Sequence, residues 1–165
     1  MTNTISIRRA TPLDVPIILT FIRELAEYEK LADHVVATDD DMYVALFGER
    51  PVIEALIATL GDEPVGYALY FPTFSTFLGK PGMYLEDVYV RPSARGLGVG
   101  RKLLEQLARL TVQRGWGRLE WSVLDWNEPS IAFYKKLGAT PMDEWTVFRL
   151  AGEQLRSLAL ADPPI

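Results

Sequence analysis

Between Arg95 and Lys102 the chain sets three glycines, Gly96, Gly98 and Gly100, among three basic residues, Arg95, Arg101 and Lys102. A strand-like run, "MYLEDVYV", ends shortly before them, and a helix-like run starts at once after. Glycine costs conformational entropy, so it stands where the backbone bends sharply or where something approaches it closely. At a helix start several backbone N–H groups lack partners and the helix dipole adds partial positive charge, which together attract an anion. Arg95, Arg101 and Lys102 would add charge-assisted contacts. The chemistry expected here is the seating of a pyrophosphate; the alternative is a tight turn flanked by solvated basic residues. Two other phosphate patterns fail. Gly100 is followed by Arg101-Lys102-Leu103 rather than the Lys-Ser/Thr of a P-loop. The glycines read G-x-G-x-G late in the chain, not G-x-G-x-x-G after a first strand.

The elements that must hold this turn are set by the patterning on either side. "ISIRR" alternates apolar and polar as a half-buried strand does. "TPLD" reads as a helix start with Thr11 as cap, and Ile17, Ile18, Phe21, Ile22 and Leu25 give that helix one apolar face. "TDDD" opens a second helix that stops near Gly48. "VIEALIATL" and "PVGYALYF" flank Gly61-Asp62-Glu63-Pro64 as a hairpin, and "MYLEDVYV" is a further strand. Leu103, Leu104, Leu107 and Leu110 mark the core face of the helix after the glycines. "RLEWSVLD" is read as a strand, "EPSIAFYKKLG" as a helix capped by Asn127 and ended by Gly138, and "WTVFRLA" as the last strand. The order β-α-α-β-β-β-α-β-α-β predicts an α/β fold, a mixed central sheet flanked by helices in a single domain over residues 1–165. Ligands in such sheets bind beyond the carboxyl ends of strands, where the glycine turn lies.

Composition bounds the partners. The 165 residues are 48% apolar and 24% charged, with a net charge of −5, the balance of a soluble globular chain rather than a nucleic-acid binder. No apolar run approaches the roughly twenty residues of a membrane span, and no signal peptide is read at the start. With no cysteine there is no disulfide framework, thiolate zinc site or cysteine nucleophile, and the expected location is cytoplasmic. His34, the only histidine, cannot build a metal site alone, so no metal is expected.

Arg95-x-x-Gly98-x-Gly100 resembles the pyrophosphate signature of the GNAT family of N-acetyltransferases. "RELAEYEK", "YLEDVYV", "RGLGVG" and "WNEPSIAFYKKLGA", in that order, resemble its spermidine/spermine (diamine) and thialysine acetyltransferase branch, over a span from Ile5 to about Leu158. The resemblance implies a GNAT fold, acetyl-CoA as cosubstrate and direct attack by a primary amine of a polyamine, diamine or thialysine-like amino acid. It implies that Tyr134 is the general acid for the coenzyme sulfur, and that Glu86 contacts the amine and is a candidate base. Val88, Tyr89 and Val90 are then the strand that meets acetyl-CoA. Arg95, Gly96, Leu97, Gly98, Val99, Gly100 and Arg101 form the pyrophosphate turn, and Asn127, Glu128, Pro129 and Ser130 a second coenzyme segment. Tyr28, Glu29, Glu86, Glu120, Trp121 and Ser122 line the acceptor side, although the stretch from Glu120 to Ser122 departs from the polyamine enzymes.

Each assignment has a plainer counterpart. A tyrosine beside Phe133 on an amphipathic helix packs a core, Asn127 caps a helix, and Glu29 within "EYEK" sits on a solvated face. Strand alternation puts Glu86 and Asp87 on opposite faces, with a structural hydrogen bond or solvation expected for Asp87. Acetylation of a protein lysine or N-terminus is the alternative activity, and a non-catalytic acyl-CoA sensor the alternative class. The resemblance also implies a homodimer, with "WTVFRLAGEQLRSLAL" either contributing to the interface or, equally, completing the monomer core.

Overall fold

In the computed structural model, which describes residues 4–161, four strands run as an antiparallel meander and a fifth joins them in parallel. They are β1 (Ile5–Arg9), β2 (Glu54–Leu60), β3 (Glu63–Ser75), β4 (Lys80–Val90) and β5 (Leu119–Trp121), adjacent in that order. The β2–β3 hairpin turns through Gly61-Asp62 with Leu60 opposite Glu63, and Gly61 takes a φ of 60°, which glycine adopts without penalty. The chain divides into two compact units, Met1–Leu124, which holds the sheet, and Asp125–Ile165.

Helices cover both faces of the sheet in the first unit. On one face α1 (Val15–Tyr28) and α2 (Asp39–Phe47) bury Ile18, Phe21 and Leu46 against Ile57, Tyr67 and Tyr89 of the strands. On the other, α3 (Val99–Gln113) buries Leu103, Leu104, Leu107 and Leu110, and its Thr111 hydroxyl approaches the sulfur of Met83 on β4. Thr38 caps α2 reciprocally: its hydroxyl accepts the Asp41 N–H and donates to the Asp41 carboxylate, whose Oδ2 also takes the Thr38 N–H. The expected start at Thr11 is realised as a 3-10 turn, Pro12–Asp14, leading into α1.

The second unit holds α4 (Glu128–Lys136) and α5 (Gly152–Leu160). Two expectations are corrected here. "RLEWSVLD" yields only the three residues of β5. "WTVFRLA" is not a strand but irregular backbone, followed by a helix that its patterning did not announce. A strand needs a ladder partner for its N–H and C=O groups, and residues 145–151 take no strand conformation. Trp145 at 74%, Val147 at 84% and Phe148 at 92% exposure have no face buried to fix a two-residue period.

Asp14 anchors β1 to the start of α1. Its carboxylate accepts both terminal nitrogens of Arg8 at 2.7 and 2.8 Å, and the Thr11 N–H and hydroxyl at 2.7 and 3.0 Å. The Arg8 guanidinium, with the Thr11 donors, holds the buried carboxyl down to about 2. A depressed carboxyl stabilises the fold above its ordinary range, and that contribution is lost as pH falls through the folded value. Asp14→Asn is therefore expected to cost about 2 kcal/mol at pH 7, a cost that shrinks towards zero as pH falls from about 4 to 2. Urea unfolding of both proteins across that range checks it, and a pH-independent difference would refute the ion-pair account.

Candidate functional site

The glycine turn lies where the sequence puts it, between β4 and α3. Gly96 and Gly98 have φ of 78° and 90°, in the left-handed region that side chains with a Cβ resist, and Gly98 is the residue before the first turn of α3. A Cβ added at either position would meet no protein atom within 4 Å beyond its chain neighbours, so the space beside the turn is open. The first N–H bonded back into α3 is that of Lys102, to the Gly98 carbonyl. Those of Val99, Gly100 and Arg101 precede it at the positive end of the helix dipole. Of the basic residues, Arg101 pairs with Glu105 at 2.9 Å and Lys102 is exposed. Arg95 instead turns back: its Nε donates to the Val90 carbonyl at 2.9 Å.

Strand β4 leads into this turn and is irregular at one point. Tyr70 pairs with Leu85 and the preceding residue of β3, Leu69, pairs with Asp87, so Glu86 is an extra residue, a β-bulge. The bulge breaks the expected alternation along β4. Before it, Met83 faces α3; after it, Asp87 and Tyr89 face α1, the former reached by the Tyr67 hydroxyl and the latter in ring contact with Phe21. On the other edge, β5 pairs with β4 at Met83, Tyr84 and Leu85 only. Beyond Leu85 the strand pairing with β5 stops, and the edge of β4 from Glu86 through Val88, Tyr89 and Val90 continues without it.

Around the bulge three carboxylates gather. The buried Tyr67 hydroxyl donates to Asp87 at 2.8 Å, meeting the expectation of a structural hydrogen bond there. Burial pushes the Asp87 carboxyl up, and the hydroxyl offsets this in part. Glu29, which follows the last residue of α1, is pushed up by burial and then by the charge of Asp87. The Tyr67 phenol rises well above its usual range through burial and the charges of Asp87, Glu29 and Glu86. Glu86 itself is exposed. Tyr67 is not among the residues the sequence nominates; the available signal is its place in "PVGYALYF", on the strand that pairs with β4 across the bulge.

The remaining candidates occupy β5 and α4. Glu120 pairs with Arg118 at 2.7 Å, and the Ser122 hydroxyl lies 2.8 Å from that of Tyr84. Trp121 is the last residue of β5, opposite Leu85. In the second unit, the Asn127 side chain accepts the Ser130 N–H at 3.4 Å, the expected cap, with Glu128 and Pro129 in the first turn. Tyr134 is half-buried on α4 with its ring 5.6 Å from that of Phe133. Among the described residues no group of three His, Cys, Asp or Glu side chains could hold a metal, and no helix is long and apolar enough to cross a membrane.

A glycine turn opening a helix beside a bulged, half-released strand matches a known pattern: residues 20–139 fit the acetyltransferase (GNAT) family. The chain belongs to that family. It is 40% identical over 166 residues to the thialysine N-epsilon-acetyltransferase of Bos taurus, covering 94% of this chain and 97% of the relative. It is 31% identical to the L-ornithine N5-acetyltransferase of Arabidopsis thaliana, covering 92% and 86%. Among solved structures, an integron cassette protein from the mobile metagenome of V. cholerae superposes with a TM-score of 0.79 at 28% identity, covering 94% and 97%.

GNAT enzymes take acetyl-CoA as donor, and the residues present fit it. The helix-start N–H groups of Val99, Gly100 and Arg101, the side-chain-free space at Gly96 and Gly98 and the charge of Lys102 suit a pyrophosphate. The released edge of β4 offers backbone groups to the extended pantetheine arm of the coenzyme. Gly98→Ala is expected to cost about 1 kcal/mol through its left-handed backbone and to weaken coenzyme A binding at least about tenfold. Gly115→Ala, at φ 69° beyond the far end of α3, is expected to cost similar stability and leave that affinity unchanged. Titration calorimetry with urea unfolding separates the two; equal coenzyme affinities in both variants would dissociate the turn from coenzyme binding.

Proposed function

We propose that this acetyltransferase acts on the terminal primary amine of a small cationic acceptor, a thialysine-like amino acid, diamine or polyamine, within one catalytic domain. The observation that carries the reading is the gathering of Glu29, Asp87 and Glu86 around Tyr67. Two of these carboxyls are raised by burial, and Asp87 has a hydroxyl as its partner rather than a cation. The remote ammonium of a diamine or amino acid would complete the charge balance. The names of the bovine and plant relatives, which concern thialysine and ornithine, support an acceptor of this chemistry. That the family match runs from residue 20 to 139, across the boundary between the units, supports a single domain.

Acetyl-CoA supplies the acetyl group as a thioester. An alkyl ammonium has a pKa of about 10.4, so the amine must lose a proton before it attacks. Glu86, exposed on the bulge, takes that proton directly or through water. A backbone N–H between Val88 and Val90 donates to the thioester carbonyl as charge builds on its oxygen. The new N–C bond forms as the C–S bond breaks, Tyr134 gives its phenolic proton to the departing sulfur, and the second proton that the nitrogen sheds passes through solvent to restore the phenol.

Release of coenzyme A thiol measured against thialysine, ornithine, spermidine, putrescine and a lysine peptide tests the acceptor. Turnover is expected with the small amines and not the peptide; the reverse would make the protein a lysine acetyltransferase. Tyr134→Phe is expected to lower kcat about 100-fold or more while coenzyme A still binds. Unchanged turnover in that variant would remove Tyr134 from the mechanism, and absence of turnover in the parent with intact coenzyme binding would favour a sensor.

The enzyme is proposed to work as a homodimer. The support is that Trp145, Val147, Phe148, Leu155 and Leu158 are each exposed, and a second copy is a suitable cover for such apolar side chains. Light scattering is expected to give twice the 18.6 kDa chain mass, falling to the single mass in Phe148→Glu. A monomer at micromolar concentration would overturn this.

A further inference from the structure

Two arginines bracket the 3-10 turn Pro92–Ala94 that joins β4 to the glycine turn, and both reach α1. Arg91 donates to Glu24 through Nε at 3.2 Å and Nη2 at 2.9 Å, while its guanidinium lies 4.9 Å from the centre of the Phe21 ring. Arg95 places its guanidinium 4.9 Å from the centre of the Tyr28 ring and 5.8 Å from that of Tyr89. Phe21, Glu24 and Tyr28 stand at i, i+3 and i+7 on α1, one stripe of the helix. The stripe ends on the Tyr28–Glu29 pair assigned to the acceptor. The Arg95 backbone opens the turn assigned to the coenzyme, and its Nε holds the carbonyl of Val90, the last residue of the released strand.

We propose that Arg95 is a positioning residue that couples the two half-sites: by stacking on Tyr28 it ties the order of the acceptor end of α1 to the order of the coenzyme turn. The proposal rests on the small-amine acceptor reading and adds to it a physical link between coenzyme and acceptor. A guanidinium over a tyrosine face is attracted to the ring, and the stem that carries it is the residue before Gly96. A coenzyme seated on the turn fixes Arg95, Arg95 fixes the Tyr28 ring, and the acceptor then meets a site already ordered. By linkage the acceptor must strengthen coenzyme binding by the same factor. If Arg95 served the pyrophosphate alone, its removal would weaken coenzyme binding and Tyr28 would have no part in that loss.

The test is the dissociation constant of coenzyme A, which binds without reacting, measured by calorimetry with and without a saturating amine that the parent enzyme acetylates. In the parent the amine is expected to tighten coenzyme A about three- to tenfold, the range of one cation–ring contact. Tyr28→Phe, which keeps the ring, is expected to retain that ratio. Tyr28→Leu and Arg95→Gln are each expected to bring it to about one, and the double variant to go no further, as two ends of one contact require. A ratio near one in the parent, a ratio that survives in Tyr28→Leu, or ratios that fall stepwise from the single variants to the double would each overturn the coupling. Both side chains are exposed, so either single variant serves if the other does not fold. Failure of the acceptor reading shows earlier and separately, as an enzyme with no small amine to saturate it.

Discussion

The site depends on a constraint at one residue. Strand β4 must stay laddered to β3 along its length to hold the sheet, yet leave its other edge free where β5 stops. Glu86 reconciles the two demands. As an extra residue in the ladder it reverses the faces of the remainder of the strand, so that Met83 belongs to the α3 layer while Asp87 and Tyr89 belong to the α1 layer. Without the bulge, strict alternation would put Met83, Leu85, Asp87 and Tyr89 on one face. Asp87 would then lie in the apolar layer under Leu103 and Leu107, and the carboxylates at Glu29 and Asp87 would not meet. The acidic group beside the bulge is thus a product of backbone geometry as much as of residue type.

The same strand then delivers the chain to the glycine turn, and the arginines on either side of that connection decide how α1 sits on it. Glu24 is held below the usual carboxylate range chiefly by the Arg91 guanidinium, so this contact is an ion pair with hydrogen bonds. Arg95 works through ring faces and a carbonyl instead. A contact of the first kind fixes α1 in place. The second kind is weaker and, at an exposed position, adjustable. That division of labour suits a helix whose body is structural and whose end is, on the proposed reading, part of the acceptor site.

How much of this the sequence disclosed varies with how local the cause is. The glycine turn was legible because a positive φ just before a helix start demands glycine at Gly98 whatever the rest of the chain does. The caps at Thr38 and Asn127 and the Gly61-Asp62 hairpin were legible for the same reason. The bulge was not, because no glycine marks Glu86 and a bulge of ordinary residues is decided by the partner strand. The Tyr67–Asp87 bond joins residues twenty positions apart on neighbouring strands, and no local pattern announces such a pair. The contacts that the Arg95 side chain makes with the Val90 carbonyl and the Tyr28 ring are likewise not announced by its neighbourhood in sequence. The irregular backbone at 145–151 has strand-forming residues without a strand partner, which propensity alone cannot foresee.

Two aspartates of the same unit show what an unfinished site looks like energetically. Asp14 is buried, and the chain surrounds it with a bidentate guanidinium and two further donors, which pull its carboxyl down to about 2. Asp87 is also withdrawn from water, yet it meets a neutral phenol, and its carboxyl is pushed up by burial. The first arrangement is complete in the folded chain and stabilises it. The second is destabilising at neutral pH, since a raised carboxyl binds its proton more tightly folded than unfolded and stability falls as pH rises through that window. Glu29 adds a second raised carboxyl beside it. For Asp14 the fold supplies the Arg8 cation, whereas the group that meets Asp87 is the neutral Tyr67 hydroxyl. On the proposed reading, a cationic amine would bring a charge that relieves Asp87 and Glu29 together with the nitrogen to be acetylated.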